Sequence, residues 1–287
     1  VDGMAARRRT GAAMTAADSA PYAEVIGDPI AQSKSPLIHG FWLDALGMKG
    51  DYRRAHVKPD DLAAYITERR TDPAWRGCNV TIPHKIAVMD LVDDPGDIRG
   101  TIGAMNTIVR QRDGSLIGTN TDAAGFYAPL AELDLEGAPV ALIGAGGAAR
   151  AVLFALARAN VGHVTILNRS PLKAMGLLAI FGLKGEVVAL DAPLPPAALL
   201  VNSSSLGMTG QPPLDLDLSP LPDDAIVYDL VYAPLMTGLL RAAEARGLDI
   251  VDGLDMLIGQ AALAFELFFG APPPEGRDEE LRAILTA

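Results

Sequence analysis

Short apolar runs that read as strands alternate along this chain with longer stretches of helical spacing. Tyr22 to Ile26 predicts a strand ending at Gly27. Pro36 to Leu46 predicts a helix, with Ser35 as N-cap and Pro36 at the first helical position. Asp51 to His56 predicts a second strand. Pro59 to Arg70 then predicts a helix with an acidic first turn and a basic last turn. A third strand follows at Cys78 to Ile82. This order argues for a mostly parallel sheet.

Met105 to Arg110 and Ser115 to Gly118 predict a hairpin around Asp113-Gly114, and Asp122 to Leu133 a helix. A second series begins with a strand at Val140 to Ile143, a helix at Gly146 to Ala159, a strand at His163 to Asn168 and a helix from Pro171. Further strands are expected near Glu186 to Leu190, Leu199 to Asn202, Ala225 to Leu230 and Asp249 to Val251, with a helix at Met236 to Arg246. Leu254 to Phe269 is a strongly apolar helix, ended by Gly270 and Pro272-Pro273-Pro274, and a short charged helix closes the chain. The fold class expected is α/β in two domains: residues 21–121 with 253–287 as one, and 122–252 as a Rossmann-type unit. Residues 1–20, with Arg7-Arg8-Arg9 followed by small polar residues, read as a disordered tail without the apolar core of a signal peptide.

The segment Asn79-Val80-Thr81-Ile82-Pro83-His84-Lys85 combines a strand with unusual chemistry. Alternation puts Asn79 and Thr81 on one face, and Val80 and Ile82 on the other. Pro83 stops the strand, and Lys85 sits just past the turn. An amide, a hydroxyl and an amine at a strand end could bind and deprotonate a polyol.

Composition narrows the partners. The chain has 287 residues, a net charge of −11 and no long basic stripe, which argues against nucleic acid. No apolar run approaches the length of a membrane span. One cysteine, Cys78, permits no intrachain disulfide and favours a reducing, cytoplasmic setting. His39, His56, His84 and His163 are not at metal-ligand spacing, so no metal site is expected. A small molecule is the expected partner, and a homodimer is compatible with the sequence.

Val140 to Ile143 runs into Gly144-Ala145-Gly146-Gly147-Ala148-Ala149-Arg150, a strand, a glycine turn and a helix. Gly144, Gly146 and Ala149 match the dinucleotide fingerprint: a tight turn, close backbone approach to a pyrophosphate, and close helix packing. The helix start offers unpaired N–H groups to phosphates. Such glycines can also serve only as a tight connection, but the flanking strand–helix pattern favours a nucleotide. The next strand ends Asn168-Arg169-Ser170, with Lys173 one turn on. No carboxylate is present for a ribose 2′-hydroxyl. Arg169 and Lys173 would complement a 2′-phosphate, with Ser170 adding a bond, so NADP is expected over NAD.

The stretches Gly27-Asp-Pro-Ile-Ala-Gln-Ser-Lys-Ser-Pro36, Asn79 to Lys85, Asn120-Thr-Asp122, Gly144 to Arg150, Asn168-Arg-Ser170 and Tyr228-Asp-Leu-Val-Tyr232, in this order, resemble the shikimate dehydrogenase family from Tyr22 onward. The resemblance implies NADPH-dependent, reversible reduction of 3-dehydroshikimate to shikimate, a step of aromatic amino acid biosynthesis. It implies Lys85 and Asp122 as the catalytic pair. It implies Ser33 and Ser35, with Tyr232, for the substrate carboxylate, and Asn79, Thr81, Asn106 and Gln260 for ring hydroxyls. It also implies Gly144 to Ala148, Asn168, Arg169, Ser170, Lys173 and Gly253 for NADP. Reducing a ketone by hydride leaves an alkoxide that needs a proton, which Lys85 can give.

Asp255 stands where the family often has glycine and adds a carboxylate near the expected substrate end. Ser203-Ser204-Ser205 and Met105 are further departures, which read as packing variants. Two other readings follow from the same residues: a quinate or quinate/shikimate dehydrogenase, and a non-catalytic NADP-binding regulator.

Overall fold

A computed structural model of the chain describes residues 20–287. The expectation of a tail at residues 1–20 falls almost wholly outside these. The described residues form two sheets. The first has the order β2-β1-β3-β4-β5. Its strands β1 (Tyr22–Gly27), β2 (Asp51–His56) and β3 (Trp75–Val80) are parallel. Strands β4 (Thr107–Arg110) and β5 (Leu116–Thr119) add an antiparallel hairpin beside β3. Helices α1 (Ser35–Ala45) and α2 (Leu62–Arg70) cross between the parallel strands.

The two faces of β1 separate cleanly because side chains alternate. Tyr22 and Ile26 join Leu62, Ile66, Cys78 and Val80 on the α2 side. Ala23 and Val25 join Tyr52 on the opposite side. That side is covered by Ala264 and Phe268 of the long helix α8 (Gly253–Phe269). Helix α8 and the closing helix α9 (Asp278–Thr286) pack with α1 around Trp42, Phe265, Leu281 and Leu285.

A short helix α3 (Ile98–Thr101), absent from the sequence reading, precedes the hairpin, and α4 (Asp122–Tyr127) follows it. Then comes an all-parallel sheet of order β11-β10-β9-β6-β7-β8. Its elements are β6 (Val140–Ile143), α5 (Gly147–Arg158), β7 (His163–Asn168), α6 (Pro171–Ile180), β8 (Lys184–Ala189), β9 (Leu199–Asn202), β10 (Ile226–Asp229), α7 (Gly238–Ala245) and β11 (Asp249–Val251). Both faces are apolar. Val140 and Leu142 face Val152 and Leu156 of α5, while Ala141 and Ile143 face Leu239 and Leu240 of α7. Strand β6 pairs with β7 on one side and β9 on the other, so the strand order reverses at its carboxyl end. Open α/β sheets bind ligands at that switch point.

Four local expectations need correction. The strand of the Asn79 segment starts at Trp75 and ends at Val80, because Thr81 O turns to accept the His84 N–H at 2.9 Å. Ile82 therefore lies past the sheet and is 61% exposed instead of sharing a buried face with Val80. Ser35 is not an N-cap: it is already the first residue of α1, and Ser33 Oγ accepts its N–H at 3.3 Å. The helix expected from Pro59 begins as a 3-10 turn, Pro59–Asp61, and becomes α-helical at Leu62. The helix expected to reach Leu133 stops at Tyr127 and passes into a 3-10 turn, Ala128–Leu130. Pro129 explains the stop, since it lacks the N–H that an α-helix needs there.

Helices α4 and α8 touch through glycines. A Cβ on Gly125 would lie 2.6 Å from Gln260 N, and one on Gly259 would lie 3.2 Å from Gly125 Cα. At its start, α8 is held equally closely. A Cβ on Gly253 would lie 2.6 Å from Leu230 O. Asp252 caps this end by accepting the Leu254 N–H at 2.9 Å.

Candidate active site

The carboxyl ends of β3 and β6 bring an amine, two carboxylate oxygens and a glycine turn together. Lys85 follows the turn after β3, and Asp122 opens α4. Lys85 Nζ donates to Asp122 Oδ2 at 2.5 Å, with the lysine side chain 15% exposed and the aspartate 6%. The other carboxylate oxygen is held as well: Asn106 Nδ2 donates to Asp122 Oδ1 at 2.8 Å. Asn106 also donates to Thr121 Oγ1 at 2.9 Å, and Gln260 Oε1 lies 3.4 Å from it. Backbone fixes the lysine too, because Lys85 O accepts the Met105 N–H at 2.7 Å.

Asn79 is buried beside this group. Its Nδ2 donates to Thr107 Oγ1 at 3.0 Å, and its Oδ1 accepts the Tyr52 phenol at 2.6 Å. Thr81 sits at the strand end with its methyl against Gly27, where a Cβ would come within 2.6 Å of it. Ser33 and Ser35 are buried with their hydroxyls 3.3 Å apart. Arg54 Nε donates to Ser33 O at 2.9 Å. Tyr232 reaches this region from the second sheet's loops and packs against the α1–α8 cluster. Burial raises its phenol pKa above the usual value, and the Arg54 charge opposes that.

The glycine turn has the conformation that the fingerprint requires. Gly144 has φ 103°, a backbone region that side chains avoid. It lies against Ser203, whose Oγ donates to Ile143 O at 2.7 Å. Gly146 caps α5 without any side-chain hydrogen bond, and no atom comes within 4 Å of its Cβ direction. The open space over free helix N–H groups fits a pyrophosphate. Ala145 and Ala148 border the turn, and Ala149 is buried against the sheet. Gly147 faces the lysine: its Cβ direction ends 3.2 Å from Lys85 Cβ and Cδ. At the end of β7, Arg169 and Ser170 are exposed, and Asn168 Nδ2 donates to Ser170 O at 2.9 Å. Lys173 lies in α6, and its side chain is outside the described residues.

With this geometry in place, known proteins provide the frame. The shikimate dehydrogenase (NADP(+)) of Sphingopyxis alaskensis is 88% identical over 269 residues, which cover 94% of this chain and 98% of that protein. The chain belongs to the shikimate dehydrogenase family. Residues 25–108 match the shikimate dehydrogenase substrate binding domain, and residues 253–280 match the shikimate 5'-dehydrogenase C-terminal domain. The shikimate dehydrogenase (NADP(+)) of Methylobacterium radiotolerans is 48% identical, over 90% of this chain and 95% of that protein. A crystal structure of shikimate 5-dehydrogenase from Thermus thermophilus, in complex with NADP(H) and shikimate, superposes with a TM-score of 0.81. It is 38% identical and covers 92% of this chain and 99% of that one.

Against the shikimate dehydrogenase frame, Lys85, Asp122, Asn79, Asn106 and Gln260 gather in one cluster, and Ser35, with Ser33 beside it, borders Tyr52. Gly253 is placed by packing against the Leu230 and Val231 backbone. Asp255, the departure that would add charge near a substrate, is met by Arg282, whose Nη1 donates to it at 2.6 Å. Arg282 binds Asp252 as well. Sequence reading missed Tyr52, Thr107 and Thr121 as partners in the polar cluster. The available signal was the two dipeptides Asn106-Thr107 and Asn120-Thr121, each placing a hydroxyl beside an amide. No helix among the described residues is long and apolar enough to cross a membrane.

Proposed function

We propose that this chain catalyses the NADPH-dependent, reversible reduction of 3-dehydroshikimate to shikimate. The observation that carries this reading is the Lys85–Asp122 pair, 2.5 Å apart, set against Gly147 at the start of α5. A proton donor and a dinucleotide turn thus meet. The 88% identity to a shikimate dehydrogenase (NADP(+)) supports the same activity.

NADPH held at the glycine turn would supply the hydride that the substrate carbonyl takes up. Lys85 gives the proton that the resulting alkoxide needs, and takes it back in the oxidation direction. Asp122 holds the Lys85 ammonium through one oxygen while Asn106 holds the other oxygen, which fixes the direction of the pair. Ser33 and Ser35, with Tyr232, bind the substrate carboxylate. Hydroxyls do this without placing another ammonium beside Lys85. Asn79, Thr81, Asn106 and Gln260 bind ring hydroxyls, and a site built to pair hydroxyls rejects analogues that lack them. Gly144 to Ala148 would hold the pyrophosphate, Gly253 would border the cofactor, and Asn168, Arg169, Ser170 and Lys173 would hold the 2′-phosphate end. Residues 21–121 with 253–287 form the substrate unit, and 122–252 form the cofactor unit. The single cysteine, Cys78, is buried and free, which suits a cytoplasmic enzyme.

Initial rates with shikimate and quinate, each with NADP and NAD, test the reading. Shikimate with NADP is expected to be the fastest of the four combinations. A higher kcat/KM with quinate would move the chain to the quinate branch, and no turnover with either acid would remove the enzymatic reading.

A further inference from the structure

The polar cluster has a direction that a single backbone group sets. The Thr121 N–H donates to Asn106 Oδ1 at 2.7 Å. A backbone N–H can only donate, so this contact identifies which end of the Asn106 amide is oxygen. Thr107 Oγ1 lies 3.0 Å from the same oxygen and must donate to it. Its other hydroxyl neighbour, Thr121 Oγ1, is the more distant acceptor at 3.4 Å. Having given its one hydrogen, Thr107 can only accept from Asn79, 3.0 Å away. The Asn79 atom facing Thr107 is therefore Nδ2, and Oδ1 faces the Tyr52 phenol, which donates at 2.6 Å. Amide orientations follow from the hydrogen-bond network around them. Here each follows from the one before.

Tyr52 reaches Asn79 from two strands away. Strand β1 lies between them, with Ala23 opposite Tyr52 and Val25 opposite Asn79. The small Ala23 lets the phenol ring lie across β1. On its other side the ring stacks on His39, with centroids 3.9 Å apart and planes within 1°. The ring is thus held from below and hydrogen-bonded at its tip.

We propose that Tyr52 and Thr107 are positioning residues that hold the Asn79 amide in one sense. Asn79 then keeps a second Oδ1 lone pair for a substrate hydroxyl. It also keeps an amide N–H whose only other contact among the described residues is 3.5 Å to Asn106 O. The inference rests on the reading above in which Asn79 binds a ring hydroxyl.

Steady-state kinetics on the full chain test it through a double-mutant cycle. Tyr52→Phe removes the phenol hydroxyl and keeps the stacked ring. It is expected to raise the shikimate KM about ten-fold, the scale of one lost hydrogen bond, with the NADP KM unchanged. In an Asn79→Ala background, Tyr52→Phe is expected to have no further effect on that KM. Thr107→Val breaks the chain from the other side and is expected to raise the shikimate KM similarly, whereas Thr107→Ser keeps the hydroxyl and restores it. A Tyr52→Phe enzyme with unchanged shikimate KM, or one losing the same factor with Asn79→Ala present, would overturn the inference. If Asn79→Ala alone left the shikimate KM unchanged, Asn79 would leave the substrate site and this inference would fall with it. If wild-type enzyme turned over no shikimate, the functional reading itself would have failed.

Discussion

Lys85 and Asp122 meet at 2.5 Å although one follows a strand of the first sheet and the other opens the helix leading to the second. The contact lies where the chain passes between its two halves. Lys85→Ala is expected to lower kcat by roughly two to four powers of ten, the usual scale for general acid–base catalysis. NADPH binding, followed by fluorescence titration, should stay within about two-fold of wild type because the glycine turn is untouched. Turnover near the wild-type rate would take Lys85 out of the chemistry.

Gly147 offers a second route to the same lysine. A side chain there would press on the Lys85 stem, since the Cβ direction ends 3.2 Å from two of its carbons. Gly147→Val should therefore lower kcat about ten-fold by displacing the amine, on the scale of small misplacements in a site. Comparing Gly147→Val in wild-type and Lys85→Ala backgrounds separates this from damage to the nucleotide turn: the kcat loss should vanish in the second.

Arg169 is exposed at the end of β7, where a 2′-phosphate is expected. Arg169→Asp should shift the preference toward NADH by removing a cation and adding a ribose acceptor. The ratio of kcat/KM for NADPH over NADH should fall by roughly a hundred-fold, two steps of about 1.4 kcal/mol. An unchanged ratio would mean that other residues read the 2′ position.

Asp255 is tied to Arg282, so its charge should not reach the substrate. Burial raises its carboxyl pKa and the Arg282 charge opposes that. Asp255→Asn should leave the shikimate KM within about two-fold, and stability should change by less than about 1 kcal/mol, as for other half-exposed ion pairs. A large fall in KM would show that the carboxylate does repel the substrate.

His39 should make the fold sensitive to acid. Its ring lies among Trp42, Tyr52, Phe265 and Phe268, and neither nitrogen has a hydrogen-bond partner among the described residues. Burial lowers its pKa from the usual 6.5 to about 3. The unfolded chain therefore takes up a proton that the folded chain refuses between those values. Stability is complete above pH 6.5 and is lost as pH falls toward 3, by about 1.4 kcal/mol per unit where only the unfolded state is protonated. Urea unfolding of wild type and His39→Phe from pH 7 to 4 should give curves that diverge on acidification. Parallel curves would mean that the ring finds a proton acceptor in the folded state.

Much of this architecture could be read from the sequence, and the failures have physical causes. Strands β6, β7 and β9 came through at their observed bounds because each is a short apolar run in a sheet covered on both faces. Asn79 and Lys85 could be chosen because each is polar or charged at the end of an apolar strand, whereas Asn106 and Asp122 gained their roles only through the family resemblance. Helix α3 was missed because its Ile98–Thr101 stretch is too short for a periodic pattern. Tyr52 was missed for a different reason. As the one buried residue of its strand, an inward tyrosine reads as core, and only the sheet order shows that its phenol crosses β1 to an amide. Arg282 was likewise hidden, because its partners lie 27 and 30 residues away on another helix.

The glycine contacts of α8 make that helix a lever with two fulcra. Its first residue is jammed against the Leu230 backbone, and its middle is jammed against α4 at Gly125. Gln260 sits beside the second point, roughly two turns or about 10 Å from the first. A methyl group added at Gly253 could not be absorbed locally, because backbone blocks it, so the rod itself would have to tilt. The tilt would reach Gln260 and its neighbours Asn106 and Thr121 at the far point. In this enzyme, then, distance from the substrate is a poor guide to which substitution disturbs it.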